Sequence, residues 1–217
     1  MARLDARQGP VVIKWFGWRN RLQGTLSPFA RGRAWTSWEV AQALRQADVR
    51  TPKPLYVFAQ RRRGVIRDSF FVAAAIHPHQ TLRDLLRSDA PQDLMEQAVA
   101  DLAKSIARMH RAGIFHRDLT TGNFLVDGDG LVHIVDLNRA RQRPRLSPRQ
   151  RLVDLARLSF AARDSEISRR LRHTFFQVYA AGNDAQVDWE GGYARYRRQR
   201  LARRQWKLRL RRLLNGK

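Results

Sequence analysis

The stretch that decides the fold is His116-Arg117-Asp118-Leu119-Thr120-Thr121-Gly122-Asn123. Before it, residues 91–111 have apolar positions at helical spacing, which predicts a long amphipathic helix. After it, residues 124–126 and 132–135 are short β-branched and aromatic runs around an Asp-Gly-Asp-Gly turn, which predicts a hairpin. Asp136 follows the hairpin directly. The hairpin therefore returns Asp136 to the side of the loop that carries Asp118.

The loop and the aspartate after the hairpin carry residue types suited to phosphoryl transfer to a hydroxyl. A carboxylate such as Asp118 can orient a hydroxyl and accept its proton. The carboxylate of Asp136 and the amide oxygen of Asn123 are hard donors of the kind that Mg²⁺ prefers. We predict Asp118 as catalytic base, with Asn123 and Asp136 as magnesium ligands. The alternative is that these residues have ordinary structural roles, with Asp118 as an N-cap, Asn123 as a turn residue and Asp136 as a surface acid.

Two other members of the loop and two upstream residues complete the predicted site. His116 and Arg117 belong to the catalytic loop, and His116 is expected to order the loop rather than to exchange a proton. Lys14 lies in an apolar strand, where a charged amine is costly unless it is paired. Glu39 is the one glutamate before Glu96 and is its expected partner. The alternative is a strand-edge lysine and a surface glutamate.

The order of elements predicts an α+β protein with two lobes. Residues 1–76 are expected to form a strand-rich N-lobe with one helix, and residues 77–217 a mainly helical C-lobe with an inserted hairpin. The lobes are expected to join near residues 77–80. The expected N-lobe elements are strands at 11–16, 55–60 and 69–76, a helix at 34–47 capped by Thr36 or Ser37, a connection at 17–33 and a turn at 61–64. A short helix capped by Thr81 and helices from Arg151 onward follow.

These motifs resemble the protein-kinase superfamily, and in particular the bacterial lipopolysaccharide kinase family of inner-core heptose and Kdo kinases. The resemblance covers roughly residues 11 to 160. Its carrying segments are V-V-I-K-W-F, R-A-W-T-S-W-E-V, R-T-P-K-P-L, F-H-R-D-L-T-T-G-N-F-L-V, I-V-D-L-N-R-A-R and V-D-L-A-R-L. The catalytic loop is specific to the superfamily, whereas D-L-N-R-A-R in place of D-F-G points to the narrower family with less force.

The resemblance implies a bilobal protein-kinase-like fold with a reduced N-lobe. It implies an ATP- and Mg²⁺-dependent transfer to a sugar hydroxyl of the lipopolysaccharide inner core. Lys14 would contact the nucleotide phosphates, Glu39 would hold Lys14, and Asp154 would brace the catalytic loop from the next helix. The expected location is cytoplasmic and peripheral on the inner membrane.

Two departures from the kinase pattern leave alternatives open. No G-x-G-x-x-G motif occurs, and only 13 residues precede Lys14, which is too few for two strands and a glycine-rich loop over the nucleotide phosphates. Either the true start lies upstream, or the part of the N-lobe that covers the nucleotide is reduced. Thr120 stands where Ser/Thr protein kinases carry lysine, and no A-P-E follows, which favours a small or lipid-linked acceptor. A catalytically reduced protein that binds anionic lipid or nucleic acid is one alternative function. A kinase of another small-molecule hydroxyl is the other.

The net charge of +23 indicates a phosphate-bearing partner. A phosphorylated or anionic glycolipid and an anionic membrane surface are expected, and nucleic acid is disfavoured. Residues 193–217 hold eleven Lys and Arg and no acid. This tail is expected either to lie on the membrane through one face or to pack on the C-lobe. The apolar positions of that face are Tyr196, Trp206, Leu210, Leu213 and Leu214.

Other features of the sequence exclude several structures and kinds of site. With no cysteine, the chain has neither disulfides nor thiolate metal sites. Its longest apolar run is too short to cross a bilayer. The pair His77 and His79 is expected to belong to a linker rather than to a metal site. The arginines after Asp136 are expected either to clamp an acceptor anion or to lie in a solvated loop; they are Arg139, Arg141, Arg143, Arg145, Arg149 and Arg151.

Overall fold

The computed structural model describes residues 2–6, 9–17, 32–62, 65–162, 164–184 and 186–215. In the N-terminal part an antiparallel sheet has the strand order β1-β2-β4-β3. Its strands are β1 Ala2–Ala6, β2 Gly9–Phe16, β3 Pro54–Arg62 and β4 Val65–Ala74. The strands predicted at 11–16 and 55–60 are confirmed, and the strand predicted at 69–76 is present with earlier bounds, Val65–Ala74. Most of the connection predicted at 17–33, and residues 63 and 64 of the predicted turn, lie outside the described residues. Residues 61 and 62, also predicted in that turn, belong to β3 instead, because they pair with β4.

Helix α1, Arg33–Gln46, packs against this sheet, as the sequence predicts. Its buried face includes Val40, Ala41 and Leu44. The predicted cap at Thr36 or Ser37 is wrong, because the helix begins one turn earlier and has Gly32 at its N-cap without a side-chain hydrogen bond. Ser37 instead donates to the carbonyl of Arg33 at 3.0 Å, a contact within the first turn.

The pairing of β2 with β4 sets the direction of Lys14. Lys14 lies opposite Phe71 in the antiparallel register, and its side chain is 24% exposed. The next residue, Trp15, points to the other face and is 63% exposed, because side chains alternate along a strand. Its indole Nε1 donates to Asp68 Oδ1 at 2.7 Å. Lys14 is therefore held on the face opposite to that of Trp15.

The rest of the described chain is mainly helical, with a small sheet of order β5-β7-β8 and a strand pair β6-β9. The helices are α2 Leu82–Leu85, α3 Gln92–Arg111, α4 Pro148–Leu155, α5 Ser165–Ala181 and α6 Trp189–Asn215. The strands are β5 His79–Thr81, β6 Ile114–Phe115, β7 Phe124–Asp127, β8 Val132–Ile134 and β9 Arg141–Gln142. The predicted long helix and the predicted hairpin are confirmed. The predicted cap at Thr81 is confirmed too, because Thr81 Oγ1 accepts from the Asp84 amide.

The core of this part lies between α3 and α5. Leu102, Ile106 and Met109 on α3 are fully buried, and burial of such side chains contributes about 1.5–3 kcal/mol each. An aromatic cluster continues the core toward α6; its members are Phe160, Phe175, Phe176, Tyr179, Trp189 and Tyr193. These packed helices form the base on which the loop at 116–123 rests.

Gly113 connects α3 to this loop. Its φ is +73°, and a Cβ at this position would collide with the carbonyl oxygen of Arg143, so glycine is required. The Arg143 amide donates to the Gly113 carbonyl at 2.9 Å. Together with the β6–β9 pairing, this bond ties the segment after Asp136 to the entrance of the loop. Part of the arginine-rich segment is thus paired with the rest of the fold.

The beginning of α6 packs on the core, and its later part does not. Trp189 and Tyr193 are 2% and 4% exposed, whereas Leu201 and Trp206 are 44% and 62% exposed. Tyr196 is partly buried against the core. Packing on the core thus applies to the first turns of α6, whereas contact of its later, exposed turns with a membrane stays a prediction. The side chains of Leu210, Leu213 and Leu214 lie outside those described. Among the described residues no helix is long and apolar enough to span a membrane.

A buried histidine joins three helices below the loop. His110 Nδ1 lies 2.7 Å from the hydroxyl oxygen of Tyr179, and Nε2 lies 3.5 Å from Asp154 Oδ2. In the neutral tautomer with its proton on Nε2, the Tyr179 hydroxyl donates to Nδ1, and Nε2 has no hydrogen-bond partner among the described residues. Burial lowers the pKa of His110 even though Asp154 acts in the opposite direction. His110 is therefore neutral at pH 7.

We predict that the protein loses stability as the pH falls below about 6.5, the unfolded pKa of histidine. Burial lowers the pKa of both His110 and His116, so the unfolded chain takes up more protons in this range than the folded one. The stability from these groups is complete above pH 6.5 and is lost as the pH falls toward their folded pKa values. The measurement is the melting temperature between pH 8 and pH 5.5.

The matched variants are His110→Gln and His173→Gln. The first should flatten the pH dependence of the melting temperature, because one buried titrating group is gone. The second removes a histidine whose side chain is 64% exposed and should leave the slope unchanged. Equal slopes in both variants and in the wild-type protein would contradict this account.

Candidate active site

The loop at residues 116–123 is held by the fully buried carboxylate of Asp154 on α4. Asp154 Oδ2 accepts from the His116 amide and Oδ1 from the Arg117 amide, both at 2.8 Å. Hydrogen bonds to a charged acceptor are about twice as strong as neutral ones. They hold Arg117 at φ +68°, a conformation that costs a non-glycine residue roughly 1–3 kcal/mol. The brace that the resemblance implies for Asp154 is present.

The side chain of His116 orders the loop from inside. Its Nδ1 accepts from the Asp118 amide at 3.3 Å, and its Nε2 lies 3.1 Å from the carbonyl oxygen of Val135. A neutral ring with its proton on Nε2 fits both bonds, and burial lowers the pKa of His116 in agreement with this state. The ring thus links Asp118 to the residue before Asp136. This ordering role is the one that the sequence predicts.

Asp118 and Asn123 are joined through the backbone of the loop. The Asn123 side-chain amide donates to the Asp118 carbonyl at 2.8 Å, and the Thr120 amide donates to the same oxygen at 2.8 Å. Because Nδ2 of Asn123 is engaged in this way, its Oδ1 is the atom suited to hold a cation. The side chain of Asp118 is 27% exposed, so its carboxylate is accessible from solvent.

Asp136 lies beside Asn123 and Lys14. The Val135 amide donates to the Asn123 carbonyl at 3.0 Å, which places Asp136 next to the loop. Asp136 Oδ1 accepts from Lys14 Nζ at 3.1 Å and from the Asn138 side chain at 2.5 Å. Like Arg117, Asp136 has a positive φ, +65°. The structure thus brings four predicted residues together, namely Lys14, Asp118, Asn123 and Asp136.

The predicted magnesium ligands fit that ion in chemistry. A carboxylate and an amide oxygen are hard donors, and Mg²⁺ is usually held by one or two carboxylates together with substrate phosphates. The donor set of Asp136 and Asn123 is of this kind, and the neighbouring Lys14 would add a cation for the phosphates. In the described part of the chain, no three His, Asp or Glu side chains cluster as a metal site of their own.

Glu39 lies partly buried on α1, and its pairing with Lys14 stays a prediction. The contact observed for Lys14 is with Asp136, which lies 122 positions later in the sequence. Helix α1 packs against the short helical turn Leu137–Arg139 that follows Asp136. Glu39 is therefore on the element next to the predicted metal ligand, and it lines a small cavity there with Arg141.

Two arginines flank the predicted base. Arg157 Nη1 lies 3.6 Å from Asp118 Oδ1, and Arg139 Nη1 lies 3.8 Å from Asp118 Oδ2. Arg139 belongs to the arginine-rich segment noted in the sequence, but Arg157 was missed. Its position three residues after Asp154 was the available signal, since residues three apart lie on the same side of a helical turn. The two cations orient the carboxylate of Asp118.

The loop that carries the predicted base is braced from a helix, and the hairpin after it brings Asp136 to the strand lysine Lys14. This arrangement is typical of a protein-kinase-like fold. The sequence profile of the lipopolysaccharide kinase (Kdo/WaaP) family matches residues 19–179. The chain belongs to this family. A solved structure of WaaP in complex with acyl carrier protein superposes with a TM-score of 0.69 and 25% identity, over 91% of this chain and 81% of that one. The predicted α+β kinase-like fold and the family resemblance are confirmed.

Curated relatives agree with this assignment. The lipopolysaccharide core heptose(I) kinase WaaP of Pseudomonas aeruginosa is 30% identical over 154 residues, which cover 65% of this chain and 57% of that protein. A 3-deoxy-D-manno-octulosonic acid kinase of Vibrio vulnificus is 25% identical over 154 residues, covering 71% of this chain and 64% of that protein. The chain thus matches less than two thirds of the length of these two relatives.

We predict that Asp154→Asn lowers the free energy of unfolding by about 2–4 kcal/mol, because an amide group would face a backbone N–H and the buried charge would be lost. Urea denaturation measures the change. The control is Asp129→Asn at an exposed turn, where a surface substitution should stay within about 0.5 kcal/mol. A loss for Asp154→Asn no larger than that of the control would contradict the bracing role.

Proposed function

We propose that this protein transfers the γ-phosphoryl group of ATP to a sugar hydroxyl of the lipopolysaccharide inner core. The observation that carries the proposal is the convergence of Asp118, Asn123, Asp136 and Lys14 on one site, braced by Asp154. A protein that only binds a ligand would not need a base, two hard-oxygen donors and a phosphate-type lysine in one place. The arrangement therefore favours a working kinase over a catalytically reduced one.

The reaction follows from the chemistry of these side chains. The acceptor hydroxyl is oriented by the Asp118 carboxylate, and its oxygen forms a new bond to the γ-phosphorus as the bond to the β-phosphate oxygen breaks. The hydroxyl proton passes to Asp118, and ADP leaves. Arg139 and Arg157 keep the carboxylate of Asp118 turned toward the acceptor side. The buried ring of His116 holds the loop in position throughout.

The nucleotide side of the site rests on Lys14, Asn123 and Asp136. Lys14 would bind the phosphates as a point charge, and Asn123 and Asp136 would hold magnesium. When bound, the metal supplies neutralisation of charge on the phosphates. Asn138 donates to Asp136 and keeps its carboxylate oriented.

The acceptor class is inferred from relatives and from charge. Two relatives are named as kinases of core heptose(I) and of 3-deoxy-D-manno-octulosonic acid. Thr120 and the missing A-P-E motif disfavour a protein acceptor. The net charge of +23 suits an anionic glycolipid better than a neutral or cationic sugar.

We predict that Asp136→Ala lowers turnover with ATP, Mg²⁺ and purified inner-core acceptor by roughly a thousandfold, because loss of metal binding removes several kcal/mol of charge stabilisation. Asp118→Asn should lower turnover by about 10²–10⁴-fold and leave nucleotide affinity nearly unchanged, since Asp118 acts on the acceptor. The measurements are phosphoryl-transfer rates and equilibrium nucleotide binding.

The control for both variants is Asp129→Ala, which removes an exposed carboxylate in the hairpin turn and should leave turnover unchanged. Wild-type turnover in Asp136→Ala with magnesium present would contradict the assignment of Asp136 as a magnesium ligand. A wild-type protein that binds nucleotide but phosphorylates no inner-core acceptor would favour the binding alternative instead.

We also propose that the protein works at the cytoplasmic face of the inner membrane, held there peripherally by its basic C-terminal helix. The exposed side chains of α6 include arginines beside Leu201, Trp206 and Leu208, a composition that suits an anionic membrane surface. A basic residue near such a surface contributes about 1 kcal/mol, and salt screens the attraction. A location at this face would bring a membrane-bound acceptor and cytoplasmic ATP together.

Deletion of residues 209–217 should weaken association with anionic vesicles at low salt, because it removes four Lys and Arg. The melting temperature should change by only a few degrees, since the buried Trp189 and Tyr193 remain. Co-sedimentation with vesicles that contain phosphatidylglycerol, at low and high salt, measures the binding. Neutral phosphatidylcholine vesicles are the control. Unchanged binding to anionic vesicles would rule out a membrane role for this segment.

A further inference from the structure

A wide groove with a volume of about 960 Å³ lies between α4 and α6. Six guanidinium groups line it, from Arg149, Arg157, Arg195, Arg200, Arg203 and Arg204. Among the described residues that line it, none is an aspartate or a glutamate. Like charges at this density repel one another, and an anion bound among them would relieve that repulsion. The charge of the groove therefore favours an anionic ligand.

The same groove also has an apolar side. Val153 and Ala156 on the α4 side, and Leu201 and Leu208 of α6, also line it. Val153, Leu201 and Leu208 are 37%, 44% and 46% exposed, which is unusual for aliphatic side chains gathered in one place. An inorganic anion has no hydrocarbon portion that could bury these apolar side chains. A ligand that joins an anionic group to a hydrocarbon portion would satisfy both sides.

Arg157 connects this groove to the catalytic loop. It lines the groove, and its Nη1 lies 3.6 Å from Asp118 Oδ1. Its side chain is only 21% exposed, and its pKa is lowered by burial and by the nearby Arg200. Its buried Nε has no hydrogen-bond partner among the described residues. One guanidinium thus borders both the predicted base and the anion-receptive surface.

We propose that the groove between α4 and α6 is a subsite for the phosphate of an anionic amphiphile, with the attached hydrocarbon against its apolar side. The proposal rests on the proposed function, because the amphiphile would be the acceptor glycolipid whose hydroxyl is presented to Asp118. Arginine suits this role because its planar fork binds phosphate through two parallel hydrogen bonds. Arg157 marks the end of the subsite nearest to the chemistry.

The test measures binding of monomeric probes, so that no membrane surface is present. The probes are dihexanoyl phosphatidic acid below its micelle concentration, inorganic phosphate and dihexanoyl phosphatidylcholine, each titrated calorimetrically into the full chain without ATP. We expect phosphatidic acid to bind more tightly than inorganic phosphate, and phosphatidylcholine not to bind. The first comparison tests the apolar side of the groove, and the second tests the need for net negative charge.

The variant is the double substitution Arg200→Gln with Arg204→Gln, and the matched control is Arg169→Gln with Arg170→Gln on α5. All four arginines are exposed, so both proteins should fold, and both lose the same charge. Loss of two charge-assisted contacts should weaken phosphatidic acid binding at least about tenfold in the groove variant. The control should stay within about twofold of the wild-type protein.

Equal weakening in the two double variants would overturn the subsite, because it would show a general effect of net charge. Phosphatidylcholine binding as tight as that of phosphatidic acid would overturn the phosphate assignment. Inorganic phosphate binding as tight as that of phosphatidic acid would overturn the amphiphile. Groove-dependent binding in a protein without kinase activity would support the subsite and contradict the proposed function, so the two can fail separately.

Discussion

The buried carboxylate of Asp154 is the contact on which the rest of the site depends. It accepts from two consecutive backbone amides and holds Arg117 in a conformation that the residue would otherwise avoid. An uncompensated charge in this position would be costly, and the two N–H groups provide the compensation. Because these bonds are to the backbone of residues 116 and 117, they fix the start of the loop just before Asp118.

A second constraint joins the loop to the predicted magnesium aspartate. The ring of His116 bonds to the backbone on both sides, at Asp118 and at Val135, and the Val135 amide bonds to the Asn123 carbonyl. These short connections leave little freedom in the distance between the predicted base and Asp136. Lys14 then reaches Asp136 from the N-terminal sheet, so that one ion pair closes the site across two parts of the fold.

Several arginines lie near the predicted base Asp118 or line the groove beside α6. Arg139 and Arg157 flank Asp118, and Arg157 continues into the groove beside α6. The first turns of α6 are anchored by Trp189 and Tyr193, so its later arginines are carried on a fixed support. Arg157 therefore belongs both to the surroundings of the predicted base and to the groove.

The sequence by itself determined the elements that depend on neighbouring residues. The loop at 116–123, the hairpin and Asp136 were predictable because they are adjacent in the chain, and α3 because its apolar spacing is helical. Only the tertiary structure decided which distant side chains meet. Lys14 bonds to Asp136 across 122 positions, His110 lies between Tyr179 and Asp154, and Arg157 turns toward Asp118. The physical reason is that such contacts arise from the packing of whole elements, which no local pattern of residues specifies.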